Sequence, residues 1–204
     1  MVSVKEKQHA NEFRLKMSTL FNITDEGECT FYLGMNIEQK ENGILIHQRK
    51  YLETALEHFG FQNLPLKNVP MNPDVVLETE KEIIAKPATK SDYASKIGSL
   101  NWMSNQTRID ILYNTSLLAR FTSNPNQTHI DAMTDVWAYL NRIRNVGLFY
   151  RRGREPSWGQ LVGYSDSDYA MCPDTRRSIT GWVFLIAGAP VSWCSQRQKS
   201  NSRF

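Results

Sequence analysis

The spacing of hydrophobic positions changes several times along the chain. Residues 5 to 21 set Phe13, Leu15, Met17, Leu20 and Phe21 among charged side chains, which predicts an amphipathic helix. The stretch CTFYLGMNIEQKENGILIHQ then reads as a β-hairpin. Thr30 to Ile37 is a strand-like run, Asn42-Gly43 is a strong hairpin-turn signal, and Ile44, Leu45 and Ile46 open the return strand. Helical spacing resumes in RKYLETALEHFGF. There Tyr51, Leu52, Ala55, Leu56 and Phe59 share one face, and Gly60 ends the helix.

Residues 61 to 90 have no regular period. Pro65, Pro70, Pro73 and Pro87 interrupt any element, so the segment is either a linker or a long meandering connection. Residues 91 to 121 are helical in pattern, with Ser91 and Asp92 as candidate caps and a break from Thr107 to Asp110. After the loop SNPNQTH, the helix IDAMTDVWAYLNRIRN stacks Met133, Val136, Trp137 and Leu140 on one side, as core contacts, and stops near Gly147. From Trp158 the period becomes two. WGQLVGYSD, SITGWVFLIAG and PVSWCS predict three strands, with Gly188 at the second turn.

Composition limits the function classes. The chain has 204 residues, 41% hydrophobic and 22% charged, which is ordinary for a globular protein with a packed core. The cysteines Cys29, Cys172 and Cys194 are scattered and odd in number, which argues against a disulfide framework or a zinc site and fits a reducing compartment. His9, His47, His58 and His129 do not cluster. No apolar run approaches the ~18 residues of a membrane span and the N-terminus has no apolar signal core, so the expectation is an intracellular protein, cytoplasmic or nuclear, with no membrane partner. The net charge of +3 says little, but its distribution says more. Arg142, Arg144, Arg151, Arg152 and Arg154 cluster around Phe149 and Tyr150. Such a cluster can track phosphates, or it can be the solvated cationic end of a helix.

The most pointed chemistry is in GYSDSDYA, residues 163 to 170. Asp166 and Asp168 follow an apolar strand where it leaves its sheet, and the basic segment with Arg176 and Arg177 comes next. A strand-end carboxylate beside a basic loop suits Mg²⁺ near phosphate, since Mg²⁺ takes a few carboxylate oxygens with water and phosphate. Two-ion hydrolysis needs several carboxylates converging from different elements. The alternative is that both aspartates are turn residues capping a loop.

The motifs GYSDSDYA, DTRRSITGWVFLIAGAPVSWCSQRQ, YASKIGSLNW, TRIDI, LLARFTSNP and FYLGMNIEQKENGILIHQRKY, in their order, resemble copia-type retrotransposon polyproteins from about residue 12 to 199. The similar segment runs from the end of the reverse-transcriptase domain into the start of the ribonuclease H domain. The resemblance implies an α+β fold: a palm and thumb tail with a helical connection, then a truncated ribonuclease H-like mixed sheet. Residues 1–60 would be the palm end, a primer-grip hairpin and the first thumb helix. Residues 61–157 would be the thumb and connection, and 158–204 the ribonuclease H-like part. Phe31, Tyr32, Leu33 and Gly34 would form the primer grip, with Gly34 letting backbone approach backbone. Arg151, Arg152, Arg176 and Arg177 would contact nucleic acid. Asp166 would be a catalytic carboxylate and metal ligand, with Mg²⁺ as the parent's cofactor. The implied partners are an RNA–DNA hybrid or primer-template and the remainder of the polyprotein.

The departures from the family pattern carry equal weight. Residues 1 to 30 hold nothing like the polymerase's Tyr-x-Asp-Asp, and QKSNSRF diverges from the Ser-Ser-x-Glu-Ala-Glu helix that carries the nuclease's second ligand. Met171-Cys172 replaces the family's Gly-Asp, and Ile109 replaces a proline. The expectation is a polyprotein fragment that neither polymerises nor cleaves alone. The alternatives are a non-catalytic nucleic-acid-binding remnant or the product of a decayed gene. Such a truncated sheet is also expected to leave an exposed apolar edge at VSWCS.

Overall fold

The computed structural model describes residues 7–24, 26–79, 82, 86–153, 159–168 and 176–199. Arg154, Trp158, Tyr169, Ala170 and Met171-Cys172 lie outside the described residues.

The first predicted helix is α1, Lys7–Leu20, where Phe13, Leu15 and Leu20 remain exposed. The hairpin region holds three strands rather than two: β1 (Phe31–Tyr32), β2 (Met35–Lys40) and β3 (Gly43–His47). The expected continuous run from Thr30 to Ile37 is broken at Leu33-Gly34, both with positive φ (49° and 79°). Two successive residues of this kind make the twisted two-residue turn that suits a tight hairpin. The Asn42-Gly43 signal is met by a turn at 41–42 that sets Lys40 opposite Gly43.

Helix α2 (Arg49–His58) buries Leu52, Ala55 and Leu56, as its spacing requires. The segment that follows is irregular, yet it is a meandering connection and not a linker. Leu77 is buried, and Phe61, Leu64, Met71 and Val75 pack against the same core. Helix α3 spans Pro87–Gln106, starting earlier than its expected caps. Pro87 opens the helix instead of interrupting the chain, because its fixed φ and missing N–H suit the first helical turn. Ser91 and Asp92 therefore lie inside the helix. The expected break is a 3₁₀ turn at Ile109–Ile111, followed by α4 (Leu112–Leu118) and a second 3₁₀ turn at Ala119–Phe121. Helix α5 spans Gln127–Arg142 and begins with a reciprocal cap. Asn126 Oδ1 accepts the His129 N–H, and His129 Nδ1 accepts the Asn126 N–H, both at 3.0 Å. His129 is thus a capping residue stacked on Phe121 at 3.9 Å.

These helices share one core: Leu52 and Leu56, then Tyr93, Ile97, Leu100 and Met103, then Ile111 and Leu118, then Met133, Val136, Trp137 and Leu140. Fully burying each side chain of this size contributes about 1.5–3 kcal/mol. Phe59 and Phe61 pack on Trp137 with ring centroids 5.4 and 5.8 Å away.

Strand β4 (Leu148–Arg151), which the sequence pattern does not announce, pairs antiparallel with β3 and closes the order β1-β2-β3-β4. Gly147 permits this approach, because a Cβ there would sit 2.3 Å from the Ile46 carbonyl oxygen. The second sheet, β5 (Val162–Ser167), β6 (Ile179–Ile186) and β7 (Ala189–Arg197), is a three-stranded meander. It is antiparallel throughout the described residues, not mixed as expected, since β6 and β7 are joined by a tight turn that can only reverse the chain. The expected exposed edge is met in part: Val191 and Ser192 are exposed, whereas Trp193, Cys194 and Ser195 are half-buried. β7 packs against α4 and β4, and Trp193 Nε1 donates to Ser104 O at 2.9 Å. Within this sheet it is β5 that is exposed at every position.

Candidate functional site

The Phe31–Gly34 hairpin stands out from the first sheet. Phe31, Tyr32 and Leu33 are 54%, 43% and 64% exposed, a high value for three successive large apolar side chains. Register pairs Phe31 with Asn36 and Tyr32 with Met35. The tip is braced from behind. The Trp102 ring of α3 lies 3.6 Å from where a Gly34 Cβ would be, which is ordinary contact. The role of Gly34 is therefore the positive φ of the turn, and close backbone approach, the expected reason, does not apply. Trp102 is itself held by Gln48, whose amide oxygen accepts from Trp102 Nε1 at 3.0 Å while its nitrogen donates to Thr107 Oγ1 at 2.9 Å. Lys50 Nζ lies 5.8 Å from the centre of the Phe31 ring. This is a platform with exposed aromatic side chains, on which bases can stack.

Asp166 lies near the end of β5, opposite Gly181. Register puts Tyr164, Asp166, Gly181, Val183 and Trp193 on the sheet face that looks towards α4. Between that face and the 109–113 segment is an open cleft of about 640 Å³, lined by Ile109, Tyr113, Tyr164, Asp166, Ile179 and Val183 among others. Asp166 Oδ1 accepts the N–H of Ser167 at 2.8 Å. Asp168 is engaged structurally. Its carboxylate accepts the Ile179 N–H, and its own N–H donates to Ile179 O at 3.1 Å, closing the end of the β5–β6 pair. Among the described residues, no three His, Cys, Asp or Glu side chains converge as metal ligands. With Asp168 so held, the described residues by themselves do not complete a Mg²⁺ site, and no chemical step follows from them.

The candidate arginines fall into separate places. Arg151 stands opposite Gly43 on β4, and its N–H reaches Ala187 O at 3.3 Å. The Arg152 N–H donates to Asn42 O at 2.7 Å. Arg176, with φ 53°, and Arg177 precede the other end of β6. Ile179 and Ile186 bound that strand, so the two pairs stand roughly 20 Å apart along it, at about 3.3 Å per residue. The sequence cluster is divided again at its start. Arg142 and Arg144 meet Arg49, Gln62, Asn63 and Asn145 in a cleft of about 570 Å³. No local sequence pattern points to Arg49 or to the role of Trp102. Arg142 and Arg144 were visible as cationic residues, but their partner Arg49 is distant in the chain.

Another charged group is internal. Arg108 is 2% exposed, paired bidentately with Asp110 at 2.9 and 2.7 Å, and its Nη1 donates to Ile143 O at 3.3 Å. Tyr93, also buried, donates to Leu118 O at 2.9 Å, and burial pushes its hydroxyl pKa well above the usual range. Both hold the helical core and neither reaches a cleft.

A family model described as reverse transcriptase (RNA-dependent DNA polymerase) matches residues 1–73. The chain is 30% identical over 203 residues to the putative transposon Ty5-1 protein of Saccharomyces cerevisiae, a match covering 98% of this chain and 63% of that protein. It is 31% identical to the retrovirus-related Pol polyprotein from transposon TNT 1-94 of Nicotiana tabacum, over 96% of this chain and 15% of the polyprotein. An uncharacterized mitochondrial protein of Arabidopsis thaliana is 28% identical over 95% of this chain and 78% of its own length. No solved structure matches the chain at a significant level. Residues 1–73, which hold the hairpin and α2, are therefore related to reverse transcriptases. More particularly, the chain belongs to the copia-type retrotransposon polyproteins. It spans 63% of the yeast relative and 15% of the tobacco polyprotein.

Proposed function

We propose that this chain serves RNA-directed DNA synthesis in a copia-type element by holding an RNA–DNA hybrid or primer-template, and that it neither polymerises nor cleaves by itself. One observation carries the reading: the Phe31-Tyr32-Leu33 tip is exposed yet fixed through Gly34 on Trp102. An apolar platform braced from behind can hold a nucleic-acid end in place, since stacking on an aromatic ring is worth about 1–3 kcal/mol per base. The β5–β7 sheet is the start of a ribonuclease H-like part on this reading. Asp166 is one carboxylate of a Mg²⁺ site completed by other parts of the polyprotein.

The test is binding of a labelled RNA–DNA hybrid across a salt series. Phosphate contacts release counterions, so affinity should fall steeply as salt rises. Phe31→Ala with Tyr32→Ala should weaken binding about 5- to 100-fold, the range that losing one stacked base implies. A wild-type chain that binds no hybrid at low salt would refute the binding reading. Multiple-turnover, Mg²⁺-dependent cleavage of the hybrid, abolished by Asp166→Asn, would overturn the non-catalytic one.

A further inference from the structure

The cleft at the end of α5 differs from the other charged surfaces of the molecule. It is assembled from three stretches of chain: Arg49 at the start of α2, Gln62 to Leu66 after that helix, and Asn141 to Asn145 at the end of α5. The Asn141 side chain ties two of them together, donating to Gln62 O at 3.0 Å and Phe61 O at 3.4 Å. The lining includes three arginines, Gln62, Asn63, Asn141 and Asn145, and no carboxylate.

The three guanidiniums are held differently. Among the described residues, Arg49 is the one of the three with a carboxylate partner, Glu53 at 2.9 Å. Among the described residues, Arg144 is held by neutral acceptors: its Nε donates to Asn141 O at 3.0 Å and Asn141 Oδ1 at 2.9 Å, and its Nη2 also donates to Asn141 Oδ1. The group is thus oriented by one edge, and Nη1 meets no acceptor among the described residues. Arg142 is exposed beside it and has no carboxylate partner among the described residues. A solvated helix end would account for Arg142, but not for an Arg144 held by one edge in a concave wall of amide side chains. Planar guanidinium forks match phosphate oxygens, and amide side chains add hydrogen bonds to phosphate or sugar.

We propose that the Arg49–Arg142–Arg144 cleft binds the phosphodiester backbone of a nucleic-acid strand. This second contact point is separate from the Phe31–Gly34 hairpin and from Arg151, Arg152, Arg176 and Arg177. It rests on the reading that the chain holds nucleic acid. Arg144 positions the phosphate, while Arg49 and Arg142 supply mobile charge at the rim.

The test uses the whole chain and a short labelled RNA–DNA hybrid, with affinity measured between about 50 and 200 mM salt. The variants are Arg142→Gln, Arg49→Gln and their combination, with Lys16→Gln on the exposed face of α1 as the charge-matched control. Melting curves establish that each variant is folded. Each cleft substitution should lower the slope of log affinity against log salt by about one and weaken binding several-fold at low salt, and the control should do neither. If the wild type binds and the cleft variants keep its affinity and slope, the cleft proposal alone is overturned. If the wild type binds no hybrid at low salt, the functional reading fails and the proposal fails with it. A nucleoside triphosphate that binds at the cleft without displacing the hybrid would also overturn the proposal, by assigning the site to free phosphate.

Discussion

Two glycine-to-alanine substitutions should move stability in opposite directions, and together they test the strand that the sequence pattern did not announce. At Gly147 an added Cβ would lie 2.3 Å from Ile46 O and 2.7 Å from the His47 Cβ. A carbon needs about 3.3 Å from a carbonyl oxygen. One of the two backbones must therefore retreat by roughly 1 Å, which stretches the neighbouring β3–β4 hydrogen bond beyond its useful length. Overpacking costs about 1–3 kcal/mol and a lost hydrogen bond about 0.5–1.5 kcal/mol, so Gly147→Ala should destabilise by about 2–4 kcal/mol. Gly98 lies in the exposed interior of α3, and a Cβ there meets nothing within 4 Å. Gly98→Ala should stabilise by about 1 kcal/mol, the difference in helix propensity. For a chain of this size each kcal/mol moves Tm by about 2–4 °C. Urea unfolding followed by tryptophan fluorescence, with thermal melts by circular dichroism, reads both. If Gly147→Ala lies within about 0.5 kcal/mol of the wild type, a range usual for surface substitutions, then Leu148 is not seated opposite Ile46 and the pairing is wrong. If Gly98→Ala is destabilising, that helix face is packed and not open.

Four further outcomes are expected. Trp102→Phe removes the donor to Gln48, itself 2% exposed, and should cost about 1–3 kcal/mol. It should also speed hydrogen exchange at the Ile37 amide, which closes the β1–β2 hairpin onto Thr30 O. Asp168→Ala should destabilise by about 1–3 kcal/mol by leaving the Ile179 N–H without its acceptor, whereas Asp166→Ala should be near neutral, as the unfolding midpoints of the two will show. Arg108→Met should cost about 2–4 kcal/mol by urea unfolding, because it strands the Asp110 carboxylate, itself only about a quarter exposed. Lys40 first, and then His47, hold the Glu38 carboxyl below the usual range by hydrogen bonding. A carboxylate with a lowered folded pKa stabilises above its unfolded value, about 4.3, and loses this as pH falls through the folded one. The gap in urea midpoint between wild type and Glu38→Gln should therefore shrink on acidification below about pH 4, and a gap that widens would contradict the assignment.

The legibility of the candidate site was uneven for a physical reason. The hairpin tip and Asp166 stood out because each is a short run of unusual residue types in a local pattern. The brace under the hairpin did not, since Trp102 lies on a helix far along the chain and its spacing looks like any other position of α3. The arginine cluster was visible in sequence, but its division was not. Arg142 and Arg144 end a helix, while Arg151 and Arg152 sit at the end of a strand whose partner is β3.

The sequence by itself determined what depends on neighbours a few residues away. The buried face of α2, the Asn42-Gly43 turn, the Met133–Leu140 stripe of α5 and the three period-two strands all follow from local spacing and turn chemistry. The tertiary structure decided the rest. Leu33 takes a left-handed conformation because β1 must reverse onto β2, a cost of about 1–2 kcal/mol that local propensity opposes. Pro87 starts a helix rather than breaking one because Tyr93, Ile97, Leu100 and Met103 find a core to bury against. Strand β4 is too short to declare itself and exists because Gly147 lets it reach the open edge of β3. The arginine cleft, built from three stretches that meet only after α2 and α5 pack together, arises from packing in the same way.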